Sequence, residues 1–402
     1  MTENFISRVR IRNYKSIGDC DVELGRLTIL VGRNGSGKSN FLDALRFVFD
    51  GLQTSIEHAL KSRGGIDEVR RRSTGHPHNF GVQLQLSLSD SNVAEYGFEI
   101  GAKKSGGFFV KAENLKIVRP NNRIDAEYRV DNGAVHSDTH ENLPPAAADR
   151  LYLVTASGLP QFRATYDSLL SMGFYNLNPE EMKDMQTPDA GELLMRDGGN
   201  LASVIGRLSE DRPDIKGRIL EYLRLIVPDI SDFQRESVGH RETIRFRQKV
   251  KGSDHPWKFY AASMSDGTMR TLGILVATKQ LASRQAPVRV VGIEEPETAL
   301  HPAAAQALMD SLREAAQHTQ VVITTHSPDL LDHFDPDFDT LLVVQSNEGT
   351  TEIGPADPAS MDAVQDHLYT PGDLLRMDQL QPDLNGRGSQ QQLAFDSAET
   401  PS

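Results

Sequence analysis

One cysteine, Cys20, stands in 402 residues, so no disulfide can form within the chain and a reducing, cytoplasmic setting is expected. No apolar run approaches the ~18 residues of a membrane span, so no membrane partner is expected. The opening MTENFISRVRIRNYKS lacks the apolar core of a secretory signal. Base is not in excess either: the formal net charge is -13. Nine acids against two bases in the last 52 residues make much of that acidity a tail property. This argues against nucleic-acid binding by the whole surface, while a local basic site stays possible. There is no internal repeat and no long heptad pattern, which excludes a solenoid and a long coiled-coil arm.

What the chain does have is GRNGSGKS at 32–39, between the apolar run 27–31 and a helical spacing over 40–49 (Phe41, Leu42, Leu45, Val48, Phe49). Strand, glycine loop and helix in that order make the P-loop pattern G-x-x-x-x-G-K-[ST] in its structural setting. Gly32, Gly35 and Gly37 let the backbone curl so that successive N–H groups, with the positive end of the next helix, point at one polyphosphate. Asn34, Ser36 and Asn40 belong to the same cradle. Lys38 reaches the β- and γ-phosphates of ATP, and the Ser39 hydroxyl can sit on Mg²⁺.

Three further strings carry chemistry. In VVGIEEPETALHP at 290–302 an apolar strand ends in two carboxylates. Glu294 would hold the metal, and Glu295 would orient and deprotonate a water. In SMSDGTMRTL at 263–272, Ser265 is a helix N-cap, and Asp266 and Gly267 open an anion-accepting helix start. In VVITTHSPDLL at 321–331, His326 ends an apolar strand where it can touch a γ-phosphate, or serve only as a structural histidine. A basic string at 61–73, with Lys61, Arg63, Arg70, Arg71 and Arg72, reads either as a solvated loop or as a phosphate-contacting patch.

In the order P-loop, signature, Walker B, D-loop and H-loop, these strings resemble the ABC-type ATPase head shared by SMC, RecF and OLD-like proteins. The chain is most similar to the compact AAA_21 family, many of whose members are expected in phage-defence or toxin–antitoxin operons. The stretches IRNYKSIGDCDVELGRLTILVG, RGGIDEVRRRS, DGGNLASVIGRL and LYTPGDLLRMDQL extend the resemblance over about 5–380. It implies Walker A at 32–39, a metal position at Glu294, a base at Glu295, a switch histidine at His326, and signature contacts from Ser265 and Gly267 to nucleotide on a partner subunit. Two departures stand out: Glu294 replaces the usual Asp, and SDGTM replaces SGGQ. Gln161 is a candidate Q-loop glutamine. The implied activity is Mg²⁺-dependent ATP hydrolysis by a homodimer closed around ATP, serving a separately encoded effector. The alternative is a RecF-like clamp on DNA.

The fold expected is α/β, a P-loop NTPase of ABC/SMC-head type. A β-rich first lobe with Walker A occupies 1–158, a helical insertion 159–230, a parallel-sheet second lobe 231–346, a C-terminal segment 347–382 and a disordered tail 383–402. Within these, 6–31 reads as strands, and 80–155 as an antiparallel sheet with a hairpin at Asn132-Gly133 and a last strand in LYLV. Helices are expected at 162–172, 180–185, 200–209, 215–227, 268–283 and 303–316, with strands at 288–293, 321–324 and 341–344. The acidic string DHFDPDFD at 332–339 reads as a turn.

Overall fold

The computed structural model describes residues 4–73, 77–88, 90–139, 143–280 and 288–384. The chain opens with β1 (Ile6–Tyr14) and β2 (Ile17–Glu23), an antiparallel pair with Tyr14 opposite Ile17. Strand β3 (Leu27–Val31) is buried along its whole length. Helix α1 (Lys38–Gln53) follows, with Phe41, Leu42, Leu45, Val48 and Leu52 on its buried face. The apolar spacing that marks 40–49 is therefore the middle of a longer helix.

The string 61–73 is more ordered than a loop. It contains the end of α2 (Ile56–Lys61) and all of α3 (Ile66–Val69). Its arginines have partners inside the chain. Arg63 is buried between Asp43 and Asp50 of α1, at 2.9 Å from each. Arg70 pairs with Asp67, Arg71 donates to Thr350, and Arg72 pairs with Glu68.

Strands β4 (Asn79–Ser87), β5 (Val93–Ala102), β6 (Phe108–Val118), β7 (Ile124–Asp131) and β8 (Ala134–His136) form the expected antiparallel meander. Asn132 and Gly133, both at positive φ, make the last hairpin turn. LYLV is not a strand. It lies in α4 (Tyr152–Ala156), and the reason is Glu113, whose buried carboxylate accepts the N–H groups of Tyr152 and Leu153 at the helix start. A long-range anion thus overrides a local period of two. Tyr96 and Tyr128 also donate to Glu113.

Burial pushes the Glu113 carboxyl up to about 7, although all four of these donors favour the ionised form. Because the folded pKa lies above the unfolded one, this group's stabilisation is complete below pH ~4.5 and is lost as pH rises to about 7. Denaturant unfolding at pH 5 and pH 7.5 should therefore show a parental loss, on the order of 2–3 kcal/mol, that is absent in Glu113→Gln. Equal pH slopes in the two proteins would contradict this.

The next segment holds α5 (Pro160–Leu169), β9 (Met172–Tyr175), α6 (Pro179–Lys183), α7 (Leu201–Asp211) and α8 (Pro213–Ile226). The helix expected over 162–172 ends early because Met172 begins β9, which pairs in parallel with a later strand. A small antiparallel sheet follows: β10 (Ile230–Val238), β11 (Arg241–Gln248) and β12 (Trp257–Tyr260). Then come α9 (Asp266–Lys279), β13 (Val290–Glu294), α10 (Ala305–Ala316), β14 (Gln320–Thr325), α11 (Pro328–Leu331), β15 (Asp339–Asn347), β16 (Thr350–Pro355), α12 (Pro358–Gln365) and α13 (Pro371–Arg376). The expected end of the 268–283 helix, and all but the first two residues of the expected disordered tail, lie outside the described residues. DHFDPDFD forms the turn between α11 and β15.

Thirteen strands make one sheet in the order β8-β7-β6-β5-β4-β1-β2-β16-β15-β3-β14-β13-β9. The run β15-β3-β14-β13-β9 is parallel, and β3, from the start of the chain, is inserted between β15 and β14. One face packs on α1 and the other on α9 and α10, which is why these strands are continuously apolar. Among the described residues no helix is long and apolar enough to cross a membrane.

Candidate nucleotide-binding site

The parallel core decides which loops meet. Thr325 is opposite Val31 across β14 and β3, and Glu294 is opposite Thr324 across β13 and β14. Three adjacent strands therefore end at one level and place Gly32, His326 and Glu295 along one edge, where α/β sheets bind ligands.

The phosphate loop is held from behind. Gly35 and Gly37 have φ of 78° and 103°. A Cβ on Gly32 would lie 2.1 Å from Val344 O, and one on Gly37 would lie 2.1 Å from Thr351 Oγ1. Thr351 donates to Ser36 O at 2.8 Å and lies 2.7 Å from Ser16 Oγ, which accepts from the Asn40 side chain at 2.7 Å. The Asn40 amide thus braces the loop from outside the cradle. Asn34 and Ser39 are exposed on the open side, and a Cβ on Gly35 would meet nothing within 4 Å.

Lys38 is 5% exposed, and its ammonium donates to Gly32 O at 2.8 Å and Arg33 O at 3.0 Å. Burial pulls its pKa below the usual lysine range, against the charges of Glu295 and Glu297, which raise it. The hydroxyl of Ser36 is buried without a partner. A curled loop and a desolvated ammonium fit a polyphosphate.

Glu295 takes φ 45°, rare for a residue with a side chain, and its N–H donates to Thr324 O at 2.9 Å. Its Oε1 is 3.2 Å from His326 Nδ1. Glu297, which the motif reading passed over, is drawn into the same cluster. It accepts from Thr325 Oγ1 at 2.5 Å and from the His326 N–H at 3.3 Å, while its other oxygen is buried without a partner. Burial raises its carboxyl pKa. Arg270 is a second addition: its guanidinium reaches Glu295 O at 3.5 Å and feels the charges of Glu295, Glu297 and Asp266.

The remaining residues are spread more widely. Glu294 turns to the α1 side, into a shallow recess lined in part by Leu42, Arg46 and Arg196. Ser265 caps α9, accepting from Thr268 N–H at 3.2 Å, and Asp266 pairs with Lys183. A Cβ on Gly267 would lie 2.2 Å from Ala299 O, so the signature turn is pressed onto the turn that follows Glu295. Gln161 lies on the first turn of α5. Among the described residues no three His, Cys, Asp or Glu side chains form a metal cage. Mg²⁺ beside a nucleotide takes most of its oxygens from phosphate and water and only one or two from protein, so it needs no such cage.

The family model described as "AAA domain, putative AbiEii toxin, Type IV TA system" matches residues 27–152 and 191–332. Over 91 residues the chain is 34% identical to the chromosome partition protein Smc of Mycoplasma genitalium, and over 90 residues 33% identical to that of Mycoplasma pneumoniae. Each match covers 22% of this chain and only 9% of that protein. Among solved structures, an Smc head bound to the C-winged helix domain of ScpA superposes with a TM-score of 0.56 at 14% identity, over 89% of this chain and 99% of that one. The Smc head of Pyrococcus furiosus, bound to the C-terminal domain of ScpA, gives 0.53 at 12% identity, over 90% and 99%. The fold is that of P-loop NTPases of the ABC/SMC-head type.

Proposed function

This chain belongs to the AAA_21 family, and on that footing we propose that it is a Mg²⁺-dependent ATPase whose active sites form between two copies. The observation that carries the reading is the meeting of Gly32, Glu295 and His326 at the ends of three adjacent parallel strands, with the Lys38 ammonium close enough to feel the charge of Glu295. Mg·ATP supplies the electrophilic γ-phosphoryl group and the cation that offsets its charge. The backbone amides of Gly35, Gly37, Lys38 and Ser39 and the Lys38 ammonium would hold the β- and γ-phosphates, and Ser39 and Glu294 would hold the metal. Glu295 accepts the proton of the attacking water, and His326, 3.2 Å away, orients that carboxylate and senses the γ-phosphate. Thr325 and the His326 N–H fix Glu297, and Glu297 in turn fixes the His326 turn.

Each chain has one P-loop and one signature turn. In the proposed dimer Ser265 and Gly267 close over nucleotide held by the other chain, giving two equal sites related by a two-fold axis. ATP then acts as the joint, and the closed dimer drives a separately encoded effector, as expected of a defence or toxin–antitoxin system. The internal pairing of Arg63, Arg70, Arg71 and Arg72 favours this reading over a DNA clamp built on that segment.

Mixing tests it. Lys38→Ala and Ser265→Arg should each be inactive alone. An equimolar mixture should recover about a quarter of the parental rate, since half the dimers are mixed and each has one of two sites intact. No recovery, with mixed dimers shown to form, would contradict shared sites.

A further inference from the structure

Glu294 is not alone on its side of the sheet. Arg196 Nη2 lies 3.3 Å from Glu294 Oε1, and the two residues are 98 positions apart in the chain. Arg196 also lies close enough to Arg46 for the two like charges to be felt. The guanidinium is thus repelled from α1 and attracted to the end of β13.

The loop that carries Arg196 is built rigidly for a surface segment. Its carbonyl accepts from the Asn176 N–H at 3.0 Å, and the Asp197 carbonyl accepts from the Asn178 N–H at 2.9 Å, anchoring the loop beside β9. Asn200, 2% exposed, ties the loop together from within. It accepts from Met195 N–H at 2.8 Å and donates to Asp189 at 2.7 Å and Leu193 O at 3.0 Å. Gly198 takes φ 85°, and a Cβ there would lie 2.4 Å from Met182. All this bracing leaves Met195, Arg196 and Asp197 exposed at the tip.

The electrostatics divide the acidic end of β13 in two. Glu295 and Glu297 act on Lys38, while Glu294 is held by Arg196. A carboxylate oxygen within salt-bridge distance of a guanidinium is a poorer ligand for a hard cation, because metal binding must displace that contact.

Resting on the reading of Glu294 as the metal residue, we infer that Arg196 is the resident counter-ion of Glu294 and competes with the divalent cation for its carboxylate. Arg196 is a positioning residue: it sets how tightly the site holds metal, and nucleotide must bring the metal in for the pair to open.

The test uses Mn²⁺ as a spectroscopic probe, titrated into full-length protein saturated with a non-hydrolysable ATP analogue and followed by electron paramagnetic resonance. Arg196→Gln should tighten Mn²⁺ binding about 2- to 5-fold, the worth of a half-exposed ion pair, with melting temperature and metal-free nucleotide affinity unchanged. Arg196→Lys, which keeps the charge, should stay near the parental value. Glu294→Gln should weaken Mn²⁺ binding, and adding Arg196→Gln to it should change nothing further. If Glu294→Gln leaves no measurable Mn²⁺ binding, the single Arg196 variants decide. Unchanged or weaker binding in Arg196→Gln, with Glu294→Gln impaired, overturns the counter-ion role and leaves the metal residue standing. Parental Mn²⁺ binding in Glu294→Gln overturns both.

Discussion

Replacing Lys38 by alanine is expected to weaken ATP binding on the order of 10²-fold or more. The ammonium is buried, and its hydrogen bonds go to the carbonyls of Gly32 and Arg33, which turn it into the loop. Charge-assisted contacts from such a group to a polyphosphate are roughly twice as strong as neutral ones, and its burial limits competition from water. The other cation of the loop, Arg33, points outward and pairs with Asp378 at 2.7 Å. Arg33→Ala should accordingly retain affinity within a few-fold, because an exposed pair of this kind is worth about 1 kcal/mol or less. Equilibrium titration with a fluorescent ATP derivative reads both variants. Parental affinity in Lys38→Ala would remove the basis for a phosphate site at 32–39, and a loss in Arg33→Ala equal to that in Lys38→Ala would relocate the principal cation.

The site was legible in the chain to the extent that its geometry is local. The glycine spacing of the loop states a backbone path: positive φ at Gly35 and Gly37 is written into the residue type. The apolar strands and capped helices around it are likewise determined within a few residues. What stayed hidden depends on partners brought close by the sheet. Glu297 looks like a turn residue until β13 and β14 pair and put Thr325 and His326 against it, 28 and 29 positions away. Arg196 sits in a loop whose meaning appears only when β9 becomes the neighbour of β13. LYLV has the residue types of a strand, and only the Glu113 carboxylate, 39 and 40 positions back, makes it a helix. The insertion of β3 between β14 and β15 has no local mark either, yet it is what brings His326 beside the phosphate loop. The strands expected over 6–31 and those expected at 321–324 and 341–344 fall in separate lobes of the sequence; the parallel pairing of both late strands with β3 unites them in one sheet.

Glu295→Gln is expected to bind ATP with near-parental affinity and to hydrolyse it ~10²–10⁴-fold more slowly, the usual cost of losing a general base. The substitution keeps the shape of the side chain and its contact with His326, so the loss falls on proton transfer rather than on the fold. The neighbouring carboxylates supply the comparison. Glu297 is as close to the histidine turn, but it is occupied as an acceptor for Thr325 and the His326 backbone, and burial raises its pKa. Glu297→Gln can keep the Thr325 contact through its remaining carbonyl, so its effect should be smaller, reaching turnover through the placement of His326. Glu294→Gln should instead move the metal dependence, shifting the Mg²⁺ concentration that gives half-maximal rate. Single-turnover hydrolysis with excess enzyme, measured across Mg²⁺ concentrations, separates the three. A rate collapse that saturating Mg²⁺ does not rescue marks the base. If that collapse belongs to Glu297→Gln while Glu295→Gln turns over normally, the proton goes to Glu297, and the left-handed turn at Glu295 serves only to aim the backbone. If it belongs to Glu294→Gln, the metal and base positions at the end of β13 are exchanged.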